Sequence, residues 1–272
     1  MELQKKLEKM KEFLSNFSSA VVAFSGGVDS STLAAVCRDV ISNTLAVTVK
    51  SEKTPSREIE KALRIAKEIG VKHRFLELNI FNEKGFVENS EMRCYYCKKF
   101  ILTALTKFAI SEGYEVVFEG TNVSDLNGHR PGYKAIIECD MVFSPWVDFG
   151  ITKEEIRKIA KLMGFSFYSA PSMACLASRI PFGIKIRPEM LKAVDKAENF
   201  VIEIANVENL RVRNINGFAV IEVEPNEIPK ILAKREKIRE YLLRNGFSDV
   251  FLNPEGYKSG IIVKEFDKLL SL

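Results

Sequence analysis

The sequence predicts an α/β protein with a doubly wound parallel sheet and a second, smaller α/β domain. Short apolar runs alternate with stretches of helical periodicity through most of the chain. A glycine-containing loop joins the first apolar run to the helix that follows it, and Asn216-Gly217 between two alternating runs indicates a β-hairpin. With 272 residues, the chain is long enough for two domains with buried cores.

The first domain is predicted to cover residues 1–180, and its elements follow in chain order from these patterns. Residues 2–16 have apolar side chains at helical spacing, and continuous apolar runs are typical of parallel strands buried on both faces. The predicted strands are 20–24, 44–49, 73–78 and 115–118, and the further predicted helices are 30–40, 55–69, 94–112 and 153–163.

The second domain is predicted to cover residues 181–272 and to serve substrate binding or oligomerisation. Its predicted elements are a helix at 188–205, strands at 210–215 and 218–223, a helix at 228–245 and a strand at 249–252. The two strands that flank Asn216-Gly217 form the predicted hairpin.

Composition excludes several classes of protein. A hydrophobic content of 46% with 28% charged residues is typical of a globular chain, and no apolar run approaches the roughly 20 residues that span a bilayer. The first residues are charged and lack a signal-peptide core, so we expect a cytoplasmic protein. A net charge of +4 gives no basic block for nucleic acid. Five cysteines in this compartment indicate metal or catalytic thiols rather than disulfides.

The strongest site signal is the loop between the first strand and the next helix. Its glycines let backbone N–H groups approach a ligand, and the helix start favours phosphate oxygens. Asp29 is placed to hold the metal ion that accompanies a polyphosphate. The alternative is a simple Gly-Gly turn with Asp29 as the helix cap. The sequence therefore predicts a site for a polyphosphate and its divalent cation, formed by Ser25, Gly26, Gly27, Val28, Asp29, Ser30 and Ser31.

Three cysteines lie in loops or helix starts that a doubly wound fold places near the carboxyl ends of its strands. Cys94 and Cys97 open a helix, and Cys175 lies in the loop 171–179. If Ser172 caps a short helical turn, Cys175 takes the third position, where the helix end favours a thiolate, and Arg179 adds positive charge. A small buried thiol is the alternative for Cys175. The other cysteines, Cys37 and Cys139, are predicted to be buried and structural.

The loop SGGVDSS resembles the pyrophosphate (PP) loop of the N-type ATP pyrophosphatases, which cleave ATP between its α and β phosphates and leave AMP on a substrate. This resemblance implies that residues 25–31 bind ATP with Mg²⁺. With the other motifs, the chain resembles the LarE family, the ATP-dependent sulfur transferases of nickel-pincer cofactor synthesis. The matching pieces are SGGVDSS (25–31), RCYYCK (93–98), EGTN (119–122), RPG (130–132) and PSMACLASRIPFG (171–183).

This resemblance implies that the enzyme adenylylates a carboxylate of pyridinium-3,5-biscarboxylic acid mononucleotide and replaces AMP with sulfur. In single-cysteine members the thiolate that matches Cys175 gives up its sulfur and leaves dehydroalanine. Members with three cysteines hold a [4Fe–4S] cluster with a replaceable sulfide, which implies Cys94, Cys97 and Cys175 as cluster ligands here. A zinc site with His129 as the fourth ligand is the alternative. The donor of replacement sulfide stays unknown.

The resemblance also adds sites outside the loop and the cysteines. Gly120 and Asn122 of EGTN are implied as ATP-binding residues, Asp29 and Cys175 as catalytic residues, and Glu222 as the ligand of a divalent cation. Arg211 and Arg213 alternate on one strand and match the family's phosphate-binding arginines, although a solvated charged face is the alternative. The predicted substrate-phosphate residues are Arg211, Arg213, Ser178 and Arg179, and Lys98 is a further candidate for a phosphate contact.

The segment after EGTN departs from the family pattern at Ser124 and His129. Two rival functions remain open at this point. A cluster-dependent tRNA thiolation enzyme also joins a PP-loop to three cysteines, but such enzymes carry further CxxC pairs and a basic surface. A nucleotide sensor with structural zinc is the second rival. The family resemblance also implies a homo-oligomer acting on a small nucleotide-like substrate.

Overall fold

The computed structural model describes residues 2–126, 131–171, 174–257 and 270–272. The chain divides into two units: unit 1 comprises Met1–Phe86 and Glu91–Met173, and unit 2 comprises Val87–Ser90 and Ala174–Leu272. The short segment 87–90 therefore belongs to unit 2 although unit 1 surrounds it in the sequence. The assignment of 1–180 to ATP use and of 181–272 to substrate binding remains a prediction.

Unit 1 contains a five-stranded sheet whose strands are all parallel, in the order β3-β2-β1-β4-β5. The predicted doubly wound parallel sheet is thereby confirmed. Its strands are β1 (Ser19–Ala23), β2 (Asn43–Lys50), β3 (Lys72–Glu77), β4 (Val116–Phe118) and β5 (Val142–Phe143).

Helices cover both faces of this sheet, which explains why the strands read as continuous apolar runs. Ala20 and Val22 of β1 pack in one cluster, while Val21 between them packs in another cluster on the opposite face. Each fully buried valine side chain of this kind contributes about 1.5–3 kcal/mol. The helices are α1 (Glu2–Leu14), α2 (Val28–Val40), α3 (Ser56–Ile69), α4 (Lys84–Val87), α5 (Arg93–Ser111), α6 (Pro131–Ile137), α7 (Pro145–Asp148) and α8 (Lys153–Leu162).

Unit 2 contains a four-stranded sheet in the order β6-β7-β8-β9, with an antiparallel β6–β7 pair. Asn216 and Gly217 have φ angles of 53° and 92°, as a two-residue type I′ turn requires, so the predicted hairpin is confirmed. The strands are β6 (Arg211–Ile215), β7 (Phe218–Glu222), β8 (Asp249–Leu252) and β9 (Leu270–Ser271), and the helices are α9 (Pro188–Ala205), α10 (Ile228–Leu232) and α11 (Arg235–Arg244).

Several elements differ from the sequence-based expectation, and the short elements α4, α6, α7 and β9 were not predicted. The predicted single helix at 228–245 is wrong, because Lys234 leaves the α-helical region with φ −118° and ψ 9° and interrupts the hydrogen-bond ladder. Strand β5 was not predicted, since two residues are too few to carry a periodic pattern. Among the helices of the described ranges, none has the length and apolar character that a membrane crossing requires.

Candidate active site

The PP-loop turns sharply between β1 and α2. Gly26 has a φ of 72°, and a Cβ atom there would lie 2.8 Å from the Cα atom of Ala62, so both conformation and space require glycine. The helix α2 begins at Val28 with Gly27 as its N-cap residue, and no side chain caps it. The alternative of a turn capped by Asp29 is therefore wrong, and the helix start leaves its N–H donors for a ligand.

Two serine hydroxyl groups hold the loop in shape. The backbone N–H of Ser25 donates to Ser30 Oγ at 3.1 Å, and the two hydroxyl oxygens lie 3.0 Å apart. The N–H of Gly27 donates to Ser25 Oγ at 3.3 Å. The hydroxyl group of Ser31 is buried and has no hydrogen-bond partner among the described residues.

One of the two carboxylate oxygens of Asp29 has a partner, and the other has none among the described residues. Its Oδ2 atom forms an ion pair with Lys153, whereas Oδ1 is buried and has no hydrogen-bond partner within the described ranges. Burial raises the pKa of Asp29, and Lys153 opposes that rise. Trp146 Nε1 donates to the backbone carbonyl of Asp29 at 3.1 Å. One free carboxylate oxygen beside a phosphate loop fits Mg²⁺, which binds to one or two carboxylates together with phosphate oxygens.

The EGTN segment at the end of β4 lies directly against the loop. A Cβ atom on Gly120 would lie 2.9 Å from the backbone nitrogen of Ser30, so the glycine allows the two backbones to approach. Asn122 is buried, and its Nδ2 atom donates to Asp125 Oδ2 at 2.8 Å. Asn122 Oδ1 accepts the N–H of Ser124 at 2.9 Å. The Asn122 side chain thus shapes the turn that follows Gly120.

Glu119 is a buried charge at the same edge, and its role was not predicted. Its carboxylate accepts from Lys98 Nζ at 2.7 Å, from Thr121 Oγ1 at 2.8 Å and from the hydroxyl group of Ser144. Burial raises the pKa of Glu119, but the Lys98 charge and these hydrogen bonds outweigh burial, so the pKa lies below its usual value. Lys98 is therefore held by Glu119 at the cavity wall.

These groups surround a cavity of about 500 Å³, a size suited to a nucleotide. Ser25, Asp29, Ser30 and Gly120 were predicted to bind ATP and do line it. The other predicted ATP residues adjoin these along the chain. Sequence reasoning missed several lining residues, although the rule that ligands lie beyond the carboxyl ends of parallel strands points to the end of β2. The missed residues are Thr48, Val49, Lys53, Thr54, Glu58 and Thr121.

The three cysteines that were predicted as cluster ligands lie in different units. Cys94 is exposed and Cys97 partly exposed near the start of α5 in unit 1. Cys175, in unit 2, is the N-cap residue of a 3₁₀ helix at Leu176–Arg179, so the predicted third position in a helical turn is wrong. His129 and Ser172 lie outside the described residues. In the part of the chain that the structure describes, no group of three or more Cys, His, Asp or Glu side chains is placed to hold a metal ion.

The carbonyl oxygen of Cys175 is fixed by three donors. The backbone N–H and the hydroxyl group of Ser178 donate to it at 3.0 and 2.7 Å, and Arg179 donates at 3.1 Å. Arg179 is fully buried and forms an ion pair with Glu198 at 2.8 Å. The guanidinium group of Arg179 already bonds to Glu198 and to the carbonyl oxygen of Cys175, so Arg179 stabilises the Cys175 segment. This geometry does not favour the predicted contact with substrate phosphate.

The arginine pair on β6 lies beside Glu222 of β7. Arg211 faces Glu222 in the strand register and its guanidinium carbon lies 5.0 Å from the centre of the Tyr257 ring. Arg213 forms an ion pair with Glu222 at 2.8 Å and donates to the carbonyl oxygen of Ser178 at 3.1 Å. Burial raises the pKa of Glu222, and Arg213 opposes the rise. Arg213 occupies one carboxylate oxygen of Glu222, and the metal role of Glu222 remains a prediction.

The fold and the phosphate loop define the class of protein. The sequence profile of the family described as "Queuosine biosynthesis protein QueC" matches residues 19–93, which include the loop. The solved structure of NMN synthetase from Francisella tularensis is similar in fold, with a TM-score of 0.50 and 16% identity, covering 62% of this chain and 75% of that one. The chain is thus a PP-loop enzyme that uses ATP with Mg²⁺.

Two relatives extend over nearly the whole chain. The uncharacterized protein slr1717 of Synechocystis sp. is 34% identical over 95% of this chain and 97% of its own length. The pyridinium-3,5-bisthiocarboxylic acid mononucleotide synthase of Lactiplantibacillus plantarum is 28% identical over 91% of this chain and 90% of its own length. The chain belongs to the LarE family of ATP-dependent sulfurtransferases.

Proposed function

We propose that this enzyme adenylylates a carboxylate of pyridinium-3,5-biscarboxylic acid mononucleotide and then replaces AMP with sulfur. The observation that carries this proposal is the PP-loop cavity, where the loop donors and the free oxygen of Asp29 meet beside Lys98 and Lys153. Similarity to the bisthiocarboxylic acid mononucleotide synthase supports the choice of substrate.

The first half-reaction uses the groups of unit 1. A substrate carboxylate oxygen attacks the α-phosphorus of ATP, the bond to the β-phosphate breaks, and pyrophosphate leaves with the charge that develops on it. The N–H donors of the loop and the start of α2 stabilise this charge. Mg²⁺ held by Asp29 Oδ1 would supply further neutralisation of the phosphates. Lys153, now paired with Asp29, places a second positive charge at the same point.

The second half-reaction requires a sulfur nucleophile. In the proposed step, the Cys175 thiolate attacks the acyl carbon, and the bond from that carbon to the AMP oxygen breaks. Loss of the Cys175 α-proton then cleaves its carbon–sulfur bond, which leaves dehydroalanine on the enzyme and the thiocarboxylate on the product. No oxidant is needed. The three-cysteine pattern supports the other sulfur source, the predicted [4Fe–4S] cluster on Cys94, Cys97 and Cys175, which would supply a replaceable sulfide and leave Cys175 intact.

Substitution of Cys175 tests whether adenylylation and sulfur transfer depend on different residues. Cys175→Ala should abolish sulfur transfer and leave ATP-dependent pyrophosphate release, because the adenylylation groups lie on the PP-loop. Cys37→Ala is the matched control, since Cys37 is fully buried in α2 and burial raises the pKa of its thiol. Loss of both activities in Cys175→Ala would show that the nucleophile is misplaced.

The fate of Cys175 distinguishes the two sulfur sources. After one turnover without added sulfide, mass spectrometry should find dehydroalanine at position 175 if the cysteine gives up its own sulfur. An intact Cys175 after many turnovers, with iron and sulfide in anaerobically purified protein, would instead support the cluster. Zinc without iron would favour the structural-zinc alternative, and salt-sensitive binding of bulk tRNA would favour the tRNA thiolation enzyme.

A further inference from the structure

A short segment of unit 2 holds the chain just after Cys175 in place. Residues 87–89, which we call the clip, run beside residues 181–186. The backbone N–H of Gly183 donates to Asn89 O at 3.0 Å, and that of Ile186 donates to Val87 O at 2.9 Å. The Asn89 side chain adds two bonds, since Nδ2 donates to the carbonyl oxygens of Pro181 and Ile184 at 2.7 Å each.

Asn89 combines a left-handed backbone conformation with a fully buried polar side chain. Its φ of 54° lies in the left-handed region, which is unfavourable for most L-residues and which asparagine tolerates better. Its side chain is fully buried, and both hydrogens of its amide have acceptors. A strained, buried polar residue persists only where the surrounding structure requires it. Here it satisfies two carbonyl groups of one loop.

The position of this loop links the clip to Cys175. Ile180 and Pro181 directly follow the 3₁₀ helix that Cys175 caps. The Cys175 end of the segment is fixed through Arg179 and Glu198, whose carboxylate also accepts the N–H of Val212 at 3.1 Å. The clip fixes the other end. The segment from Cys175 to Ile186 is therefore held at both ends within unit 2.

The geometry points to Asn89 as a positioning residue for sulfur transfer, acting by holding the Cys175 segment through Pro181 and Ile184. This inference rests on the proposed role of Cys175. A thiolate must approach an acyl carbon to about 3–3.5 Å, and a misplacement of about 1 Å can cost about 100-fold in rate. Asn89 touches no reacting atom in this scheme, and so its effect should fall on the transfer step alone.

Asn89→Gly tests the inference, because glycine keeps the positive φ and removes both side-chain donors. We expect the single-turnover rate constant of sulfur transfer to fall about 10- to 100-fold, while the rate of pyrophosphate release and the KM for ATP stay unchanged. Alkylation of Cys175 by iodoacetamide, followed by peptide mass spectrometry, should become faster, and that of buried Cys37 should not. Asn206→Gly is the matched control: Asn206 is an exposed residue of unit 2 with a φ of 49°, and its replacement should alter none of these rates.

Hydrogen exchange on the wild-type protein tests the clip without any variant. The amides of Gly183 and Ile186 should exchange as slowly as those of β7, because they donate to clip carbonyls. Fast exchange at both amides would overturn the inference, as would an Asn89→Gly protein with unchanged transfer and alkylation. Equal loss of both half-reactions, with faster alkylation of Cys37, would show a merely structural role. If the wild-type enzyme transfers no sulfur to the pyridinium substrate, the proposed function fails, while exchange and alkylation still decide whether the clip holds Cys175.

Discussion

Replacement of Gly120 by alanine tests whether the end of β4 and the PP-loop form one ATP site. The new Cβ atom would lie 2.9 Å from Ser30 N, 3.1 Å from Ser30 Cα and 3.3 Å from the carbonyl carbon of Asp29. All three neighbours are backbone atoms at the start of α2, so no flexible side chain can move aside. Relief of the contact requires the start of the helix to move away from β4.

The size of the effect follows from this contact. Overpacking of this kind costs about 1–3 kcal/mol, and every 1.4 kcal/mol corresponds to about tenfold in an equilibrium constant. Because the displaced N–H groups are the proposed phosphate donors, we expect kcat/KM for ATP to fall about 10- to 100-fold. The assay is ATP-dependent pyrophosphate release. Trp146 is the chain's one tryptophan and donates to the Asp29 carbonyl, so its fluorescence provides a separate measure of ATP affinity.

Gly113→Ala is the matched control. Gly113 has a φ of 76° and no heavy atom within 4 Å of the added Cβ, so alanine there introduces left-handed strain without a contact. Such strain costs about 1–2 kcal/mol, similar to the cost expected at Gly120. Equal ATP parameters in the two variants would refute the reasoning, because they would show that the loop position does not depend on the close approach at Gly120.

Two further predictions concern buried charges. Glu198→Gln should destabilise the fold by about 3–5 kcal/mol in urea unfolding, because it leaves the Arg179 charge buried without a counter-charge; Glu240→Gln, which removes an exposed pair with Arg244, should have no measurable effect. Glu119 has a lowered pKa, so its contribution to stability is present above its usual value of 4.5 and is lost as the pH falls below it. Stability should therefore fall less between pH 7 and pH 4 in Glu119→Gln than in the wild type, and equal slopes would contradict this.

The unit 1 fold could be predicted because parallel strands buried on both faces give continuous apolar runs. Val21 packs on one face of the sheet and Ala20 and Val22 pack on the other. Because both faces of β1 are buried, the strand appears in the sequence as a continuous apolar run. The PP-loop after β1 and the EGTN segment after β4 could also be predicted, because backbone contacts within the site require glycine at Gly26 and at Gly120. Short elements such as β5 carry too few residues for any period.

Long-range pairing is what the sequence could not indicate. Nothing local marks Glu119 as the partner of Lys98, or Arg179 as the partner of Glu198, because these pairs join residues 21 and 19 positions apart. Arg179 was predicted as a phosphate ligand, and its buried ion pair with Glu198 could not be inferred from neighbouring residues. The same limit hid Asn89, whose acceptors lie 92 and 95 positions further along the chain.

Helix α8 contacts both the PP-loop and residues 168–170 of unit 1. Lys153 and Arg157 lie one turn apart on this helix and so project from the same face. Lys153 binds the Asp29 carboxylate of the PP-loop, and Arg157 donates to the carbonyl oxygens of Tyr168 and Ala170 at 2.5 and 2.8 Å. These carbonyls belong to the stretch of unit 1 that leads toward the Cys175 loop. A phosphate that draws Lys153 away from Asp29 would therefore act on the same helix that holds the carbonyl groups of Tyr168 and Ala170, so ATP binding should slow or speed hydrogen exchange in α8 and at residues 166–170 together.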